Sequence, residues 1–140
     1  MDRREAIKVS TLLTLSAVSA LAYDERLVVN KKKMKKDNKN PTKSQLKHTP
    51  DIKIGKVDEN GYFLVEVTVG QEGIIHPSTK NHWIYNITLY ANNKKICSID
   101  LEPEISKGYL SAKVKKDGLT TLKAEASCNL HGTWENEIIF

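Results

Sequence analysis

Asn60-Gly61-Tyr62-Phe63-Leu64-Val65-Glu66-Val67-Thr68-Val69 is the stretch on which the fold of this 140-residue chain turns. From Tyr62 onward the residues alternate and are rich in β-branched side chains, the pattern of a strand with one face on a core. Asn60-Gly61 is a strong hairpin signal, because both residues tolerate the left-handed backbone of a tight turn. It pairs the stretch with roughly Asp51 to Val57.

Working outward, the same pattern recurs. His82 to Tyr90 is the longest aromatic and β-branched run, and Asn92-Asn93 turns it into Lys95 to Leu101. Tyr109 to Lys115 and Thr120 to Cys128 flank another turn, Asp117-Gly118, and Glu135 to Phe140 closes the chain. No stretch from residue 48 onward carries a sustained helical period. About seven short strands with turns at close intervals predict an all-β fold, an immunoglobulin-like β-sandwich of about seven strands. There are no internal repeats.

The chain divides by charge. Residues 1–47 hold twelve Lys/Arg against five Asp/Glu, and residues 48–140 hold ten against twelve, so the overall +5 comes from the N-terminal third. A nucleic-acid-binding domain carries its own basic face, so no nucleic acid is expected as partner. Residues 1–22 read as a signal peptide. Arg3, Arg4 and Lys8 form a basic start, Val9 to Leu21 is apolar and uncharged, and Ala20-Leu21-Ala22 is a small-x-small cleavage site. Arg3-Arg4-Glu5-Ala6-Ile7-Lys8 resembles a twin-arginine export signal, although Asp2 and Ala6 depart from it. The expectation is export to the periplasm, with membrane contact only through an uncleaved signal. Residues 23–46, with the block Lys31-Lys32-Lys33-Met34-Lys35-Lys36, are expected to form a disordered, solvated linker. Residues 47–140 are the folded domain.

Chemistry concentrates in a few residues. Cys128-Asn129-Leu130-His131-Gly132 places a thiolate and an imidazole three positions apart, a two-point metal clamp. The chain has four histidines, His48, His76, His82 and His131. All four fall in loops or at strand ends, where sites are usually built, rather than alternating with apolar residues inside strands. Composition leaves zinc, copper and iron open. The count of five N/S donors argues against structural zinc, which takes four ligands and closes the site. Five donors leave one position open on a six-coordinate metal.

Lys47-His48-Thr49-Pro50, His76-Pro77-Ser78-Thr79-Lys80-Asn81-His82 and Cys128-Asn129-Leu130-His131-Gly132-Thr133-Trp134-Glu135-Asn136-Glu137 resemble, in order, the superoxide reductase (neelaredoxin, desulfoferrodoxin) family. The resemblance implies an immunoglobulin-like sandwich and one iron per chain, Fe2+/Fe3+. It implies His48, His76, His82 and His131 as equatorial ligands and Cys128 as axial thiolate, with the sixth position open to superoxide. It implies one-electron reduction of superoxide to hydrogen peroxide, with Lys47 as the lysine that attracts superoxide and helps supply a proton. An electron donor such as rubredoxin or a periplasmic cytochrome follows, as does a homo-oligomer, dimer or tetramer. The N-terminal region contains no cysteine, so the four-cysteine iron domain of longer members is not expected. Leu46 stands where many members have a glutamate that binds the oxidised iron, and Gln45 is no substitute.

Two residue readings compete with this set. Cys97 is expected as a buried or partly buried thiol, and a Cys97–Cys128 disulfide would abolish the site. Trp83 and Trp134 could cover the metal, although the sandwich core is the commoner place for such residues. The alternative function is a non-enzymatic periplasmic metal-binding or electron-transfer module on the same sandwich.

Overall fold

The computed structural model describes residues 23–140, and the expected signal peptide of residues 1–22 lies outside the described residues. Seven strands follow one another: β1 (Pro50–Val57), β2 (Tyr62–Val69), β3 (Ile84–Ala91), β4 (Lys94–Asp100), β5 (Tyr109–Lys115), β6 (Thr121–Cys128) and β7 (Gly132–Ile139). They form a three-stranded sheet in the order β1-β2-β5 and a four-stranded sheet in the order β4-β3-β6-β7. Every pairing is antiparallel. This is the expected immunoglobulin-like sandwich.

The opening stretch behaves as its alternation requires. Phe63, Val65, Val67 and Val69 are buried while Tyr62 and Leu64 face out. Period two also runs through β6, where Leu122, Ala124, Ala126 and Cys128 form one buried row. Cys128 is therefore the last inward-facing residue of a core strand, and its thiol is aimed by the strand rather than by a loop. Across the sandwich these rows meet Ile52, Ile84, Ile87, Leu89 and Leu110 in one core. The turn at Asn60-Gly61 joins β1 and β2 as a hairpin, with Gly61 at φ 84°. The turn at Asp117-Gly118 is different. It joins β5 to β6, which belong to different sheets, so it is a crossover.

The expectation of a disordered linker over residues 23–46 is not met. Tyr23 packs on the rings of Tyr85 and Trp83, with centroids 5.1 and 6.3 Å away. The chain then makes a 3-10 turn at Glu25–Leu27 and runs along the β6–β7 turn. The N–H groups of Val29 and Asn30 donate to Asn129 O, at 2.9 and 3.3 Å. Met34 N–H donates to Thr133 O and Thr133 N–H to Lys32 O, at 2.8 and 2.9 Å, which adds a short parallel bridge to β7. Lys33 pairs with Glu125 at 2.8 Å and Lys36 donates to Gln71 at 2.7 Å. The like-charge block is thus spread over separate acceptors on the sandwich, which its composition alone does not reveal. Gly132, at φ 83°, sits so close to this strap that a Cβ there would meet Lys32 O and Met34 Cγ.

The strap leads into a single six-residue helix, α1 (Lys43–His48). Thr42 and Gln45 form a capping box, each side chain taking the other's backbone N–H. Thr49 closes the helix by donating its N–H and hydroxyl to Gln45 O. Among the described residues no helix is long and apolar enough to cross a membrane.

Candidate metal centre

All four histidines and Cys128 reach one end of the sandwich, delivered by four separate segments. His48 is the last residue of α1, and its Nδ1–H donates to Ser44 O at 2.6 Å, one turn back. That bond fixes the tautomer and leaves Nε2 as the free lone pair. His76 ends the loop after β2. Gly70 begins that loop at φ 119°, where a Cβ would collide with Ile74 O. Gly70 and Gln71 donate their N–H groups to Thr49 O and Leu46 O, docking the loop on α1. His76 N–H returns to Val69 O, and its Nδ1–H donates to Pro77 O at 2.7 Å. His82 closes a tight turn in which Thr79 and His82 exchange N–H···O bonds of 2.9 and 3.2 Å. His131 lies in the three-residue turn between β6 and β7.

The rings are arranged as a quadrilateral. Centroids of neighbouring rings are 4.7 Å (His48–His131), 4.9 Å (His131–His82), 4.6 Å (His82–His76) and 4.8 Å (His76–His48) apart. The diagonal His48–His82 is 5.8 Å. Neighbours stand at 66–78° to each other, and the diagonal pair at 32°. Nδ1 of His131 is 3.1 Å from Nε2 of His48, 3.2 Å from Nε2 of His82 and 3.6 Å from Sγ of Cys128. Donor atoms of His48, His82, Cys128 and His131 all lie within 4.8 Å of one another.

These distances suit a metal. Nitrogen ligands about 2.1 Å from an ion stand about 3.0 Å apart when they are at right angles. His76 adds an independent sign. Its Nε2 is buried and has no hydrogen-bond partner, and it is the one such side-chain atom among the described residues. A buried lone pair without a donor is costly, and a cation supplies what is missing. Burial also favours the neutral form, which a ligand needs, in three of the rings. Desolvation pushes His48 down to about 4 and His76 down to about 3, and lowers His82 as well.

Cys128 is fully buried, and desolvation raises its thiol, while the N–H groups of Leu130 and His131 donate to the sulfur and oppose that rise. Both cysteines are free thiols, so no Cys97–Cys128 disulfide competes for the sulfur. Cys97 sits half-buried on β4 opposite Leu89, away from the donor set.

Lys47 is half-buried beside this cluster, and its charge depresses His48, His76 and His82 alike. Leu46 is buried, and Gln45 Oε1 is taken by the N–H groups of Thr42 and Asp37. The two tryptophans divide. Trp83 is fully buried and donates Nε1–H to Leu101 O at 2.9 Å. Trp134 stacks on His48, centroids 5.5 Å apart at 25°, and donates Nε1–H to His131 O at 3.0 Å. It is a wall of the centre, contrary to the core role favoured above. The residue that sequence reading overlooked is Asn129. It is buried at 1% exposure and hydrogen-bonded to Leu27, Asn81 and Trp83. The only sequence signal was its place between two candidate ligands.

Comparison with known proteins agrees with this geometry. The superoxide reductase of Pyrococcus abyssi is 36% identical over 103 residues, covering 66% of this chain and 85% of that protein. The solved superoxide reductase of Nanoarchaeum equitans superimposes with a TM-score of 0.61 at 26% identity, over 76% of this chain and 100% of its own. That of Giardia intestinalis gives 0.58 at 27% identity, over 67% and 98%. The family model described as desulfoferrodoxin matches residues 39–137, most of the sequence, and the chain therefore belongs to the desulfoferrodoxin family.

Proposed function

We propose that this protein is a superoxide reductase, with one mononuclear non-haem iron held by His48, His76, His82, His131 and Cys128. The observation that carries the reading is the convergence of His48, His82, His131 and Cys128 on one point, with the His76 ring packed against His48 and His82 and its Nε2 lone pair buried and unpartnered. Relatives and structural neighbours named superoxide reductase support it. Five N/S donors exceed the four of closed structural zinc, which favours iron with an open position. Bound there, ferrous iron supplies the electron in O2•− + e− + 2H+ → H2O2.

The chain's own groups set the conditions for that reaction. Four neutral imidazoles add no negative charge, so an anion can approach. His131 is exposed and His82 half-exposed, which leaves the donor set open to small molecules on that side. Lys47 brings a positive charge to the same side, where it attracts superoxide and helps deliver a proton. Cys128, as thiolate, is the strongest electron donor of the set, and the N–H groups of Leu130 and His131 moderate it. Trp134 fixes His131 through its carbonyl and covers one face of His48. We further propose export by the twin-arginine-like leader, reduction by a rubredoxin or periplasmic cytochrome, and assembly as a dimer or tetramer.

Pulse radiolysis of the reduced, iron-loaded protein tests the activity. One hydrogen peroxide per superoxide consumed is expected, together with a visible thiolate-to-iron band in the oxidised protein that Cys128→Ser abolishes. Iron bound with no peroxide formed would leave a carrier or electron-transfer module instead.

A further inference from the structure

The strap and the ligand-bearing loops meet at Asn129. Its Oδ1 accepts the N–H of Trp83 at 3.0 Å, and its Nδ2 donates to Asn81 O at 2.9 Å and Leu27 O at 3.1 Å. Its main chain is engaged as well. The Asn129 N–H donates to Trp83 O at 3.2 Å, and its carbonyl takes the N–H groups of Val29 and Asn30. Every polar group of a buried residue is thus satisfied by a segment distant in sequence. A fully satisfied buried network specifies one arrangement, because any shift leaves a polar group unpaired.

The partners are what give this knot a function. Asn81 and Trp83 flank His82. Cys128 precedes Asn129, and His131 ends the same turn. The third partner, Leu27, lies in the strap, outside the family match at residues 39–137. The side chain therefore spans two ligand-bearing segments and fastens both to an element particular to the N-terminal region.

We propose that Asn129 is a positioning residue that latches the strap to the metal centre and holds Cys128 and His131 in register with His82. The proposal rests on the metal site described above. Loss of the latch loosens the sulfur's approach, so both the metal's retention and its thiolate spectrum change. A residue that merely filled the turn would alter neither in the folded, loaded protein.

The test uses full-length, iron-loaded protein with Asn129→Ala, Val29→Pro and the double variant. Val29 is 70% exposed and follows an extended residue, so proline there removes the N–H bound to Asn129 O and leaves the latch side chain in place. Release of Fe(II) to an excess of chelator is expected to be about 10–100-fold faster in Asn129→Ala, the effect of losing an outer-shell partner. The visible band of its oxidised form shifts. Val29→Pro moves both readouts in the same direction by a smaller factor, and adds less in the Asn129→Ala background than alone. Release within about twofold of wild type with an unmoved band overturns the latch. So does Val29→Pro at wild-type values, which decides alone if Asn129→Ala does not fold. A wild-type protein that takes up no iron would instead overturn the metal reading. The latch is then judged by alkylation of Cys128 in the metal-free Cys97→Ser protein, which Asn129→Ala accelerates several-fold if the latch is real and leaves unchanged if it is not.

Discussion

The two ends of this sandwich are made by the same seven strands and differ in what their connections bury. At one end, the turns at Asp58–Gly61, Asn92-Asn93 and Lys116–Thr120 are short, mostly exposed, and bonded locally or to each other. Asp58 Oδ1 accepts the N–H groups of Asn60 and Tyr62, and Asn92 Oδ1 those of Thr120 and Thr121. At the other end, the connections, from the long β2–β3 loop to the three-residue β6–β7 turn, carry buried polar groups. Of the five polar residues buried among those described, His48, Thr49, His76 and Asn129 lie there, and only Thr88 does not. Burying such groups costs free energy unless each finds a partner. The turn end therefore reads as fold, and the loop end as function. The contrast predicts that perturbations at the two ends separate cleanly.

The largest effect is expected from His76→Ala. It removes a donor whose lone pair has no other partner, so it should cost more metal affinity than the roughly 100-fold upper range for an outer-shell partner. Metal content by atomic spectroscopy after dialysis checks this. Full occupancy in the variant would remove His76 from the ligand set and leave its buried nitrogen unexplained.

Acid should act on the same end. His48 and His76 are held by burial at about 4 and about 3, below the ordinary imidazole value of about 6.5. Below about pH 6.5 an unfolded chain takes up protons that these folded rings refuse, so the unfolded state is favoured as pH falls. The metal-free protein should be fully stable, as far as these rings decide it, above about pH 6.5, and lose on the order of 6 kcal/mol, about 3 from each ring, on the way to pH 4. Denaturant unfolding as a function of pH measures it. The carboxylate of Asp58 at the turn end is lowered by hydrogen bonds from Tyr62 and other groups, so its contribution is lost only at lower pH. A flat profile from pH 7 to 4 would show that the rings are not desolvated in solution.

What was legible in the sequence divides along the same line. Strand alternation and the Asn60-Gly61 turn are local signals, and seven strands formed near where they pointed, although β3 begins at Ile84 rather than His82 and β7 at Gly132 rather than Glu135. The ligands were legible because histidine and cysteine are few and sat where strands end. The strap was not, because its order comes from partners such as Asn129 O and Thr133 O, which lie about a hundred residues away. Its lysines look like a solvated run until Glu125 and Gln71 are placed beside them. Helix α1 is too short for a period, though Thr42-x-x-Gln45 carried its capping signal. Sheet membership was equally hidden, since Asp117-Gly118 looks like a hairpin turn and serves as a crossover.

The smallest effect is expected from Gly61→Ala at the turn end. Gly61 has φ 84°, and a Cβ there meets nothing within 4 Å. The cost is thus backbone strain alone, without steric collision, on the order of 1 kcal/mol. It should lower the unfolding midpoint slightly and leave iron content and the visible band at wild-type values. The substitution strains the hairpin that sets the register of β1 on β2, the two strands that run between His48 and His76. A change in the band would mean that register is transmitted along β1 and β2 to the metal. An unchanged band with lowered stability would mean that the core row from Phe63 to Val69 holds the register by itself, and that the two ends are independent in energy as well as in composition.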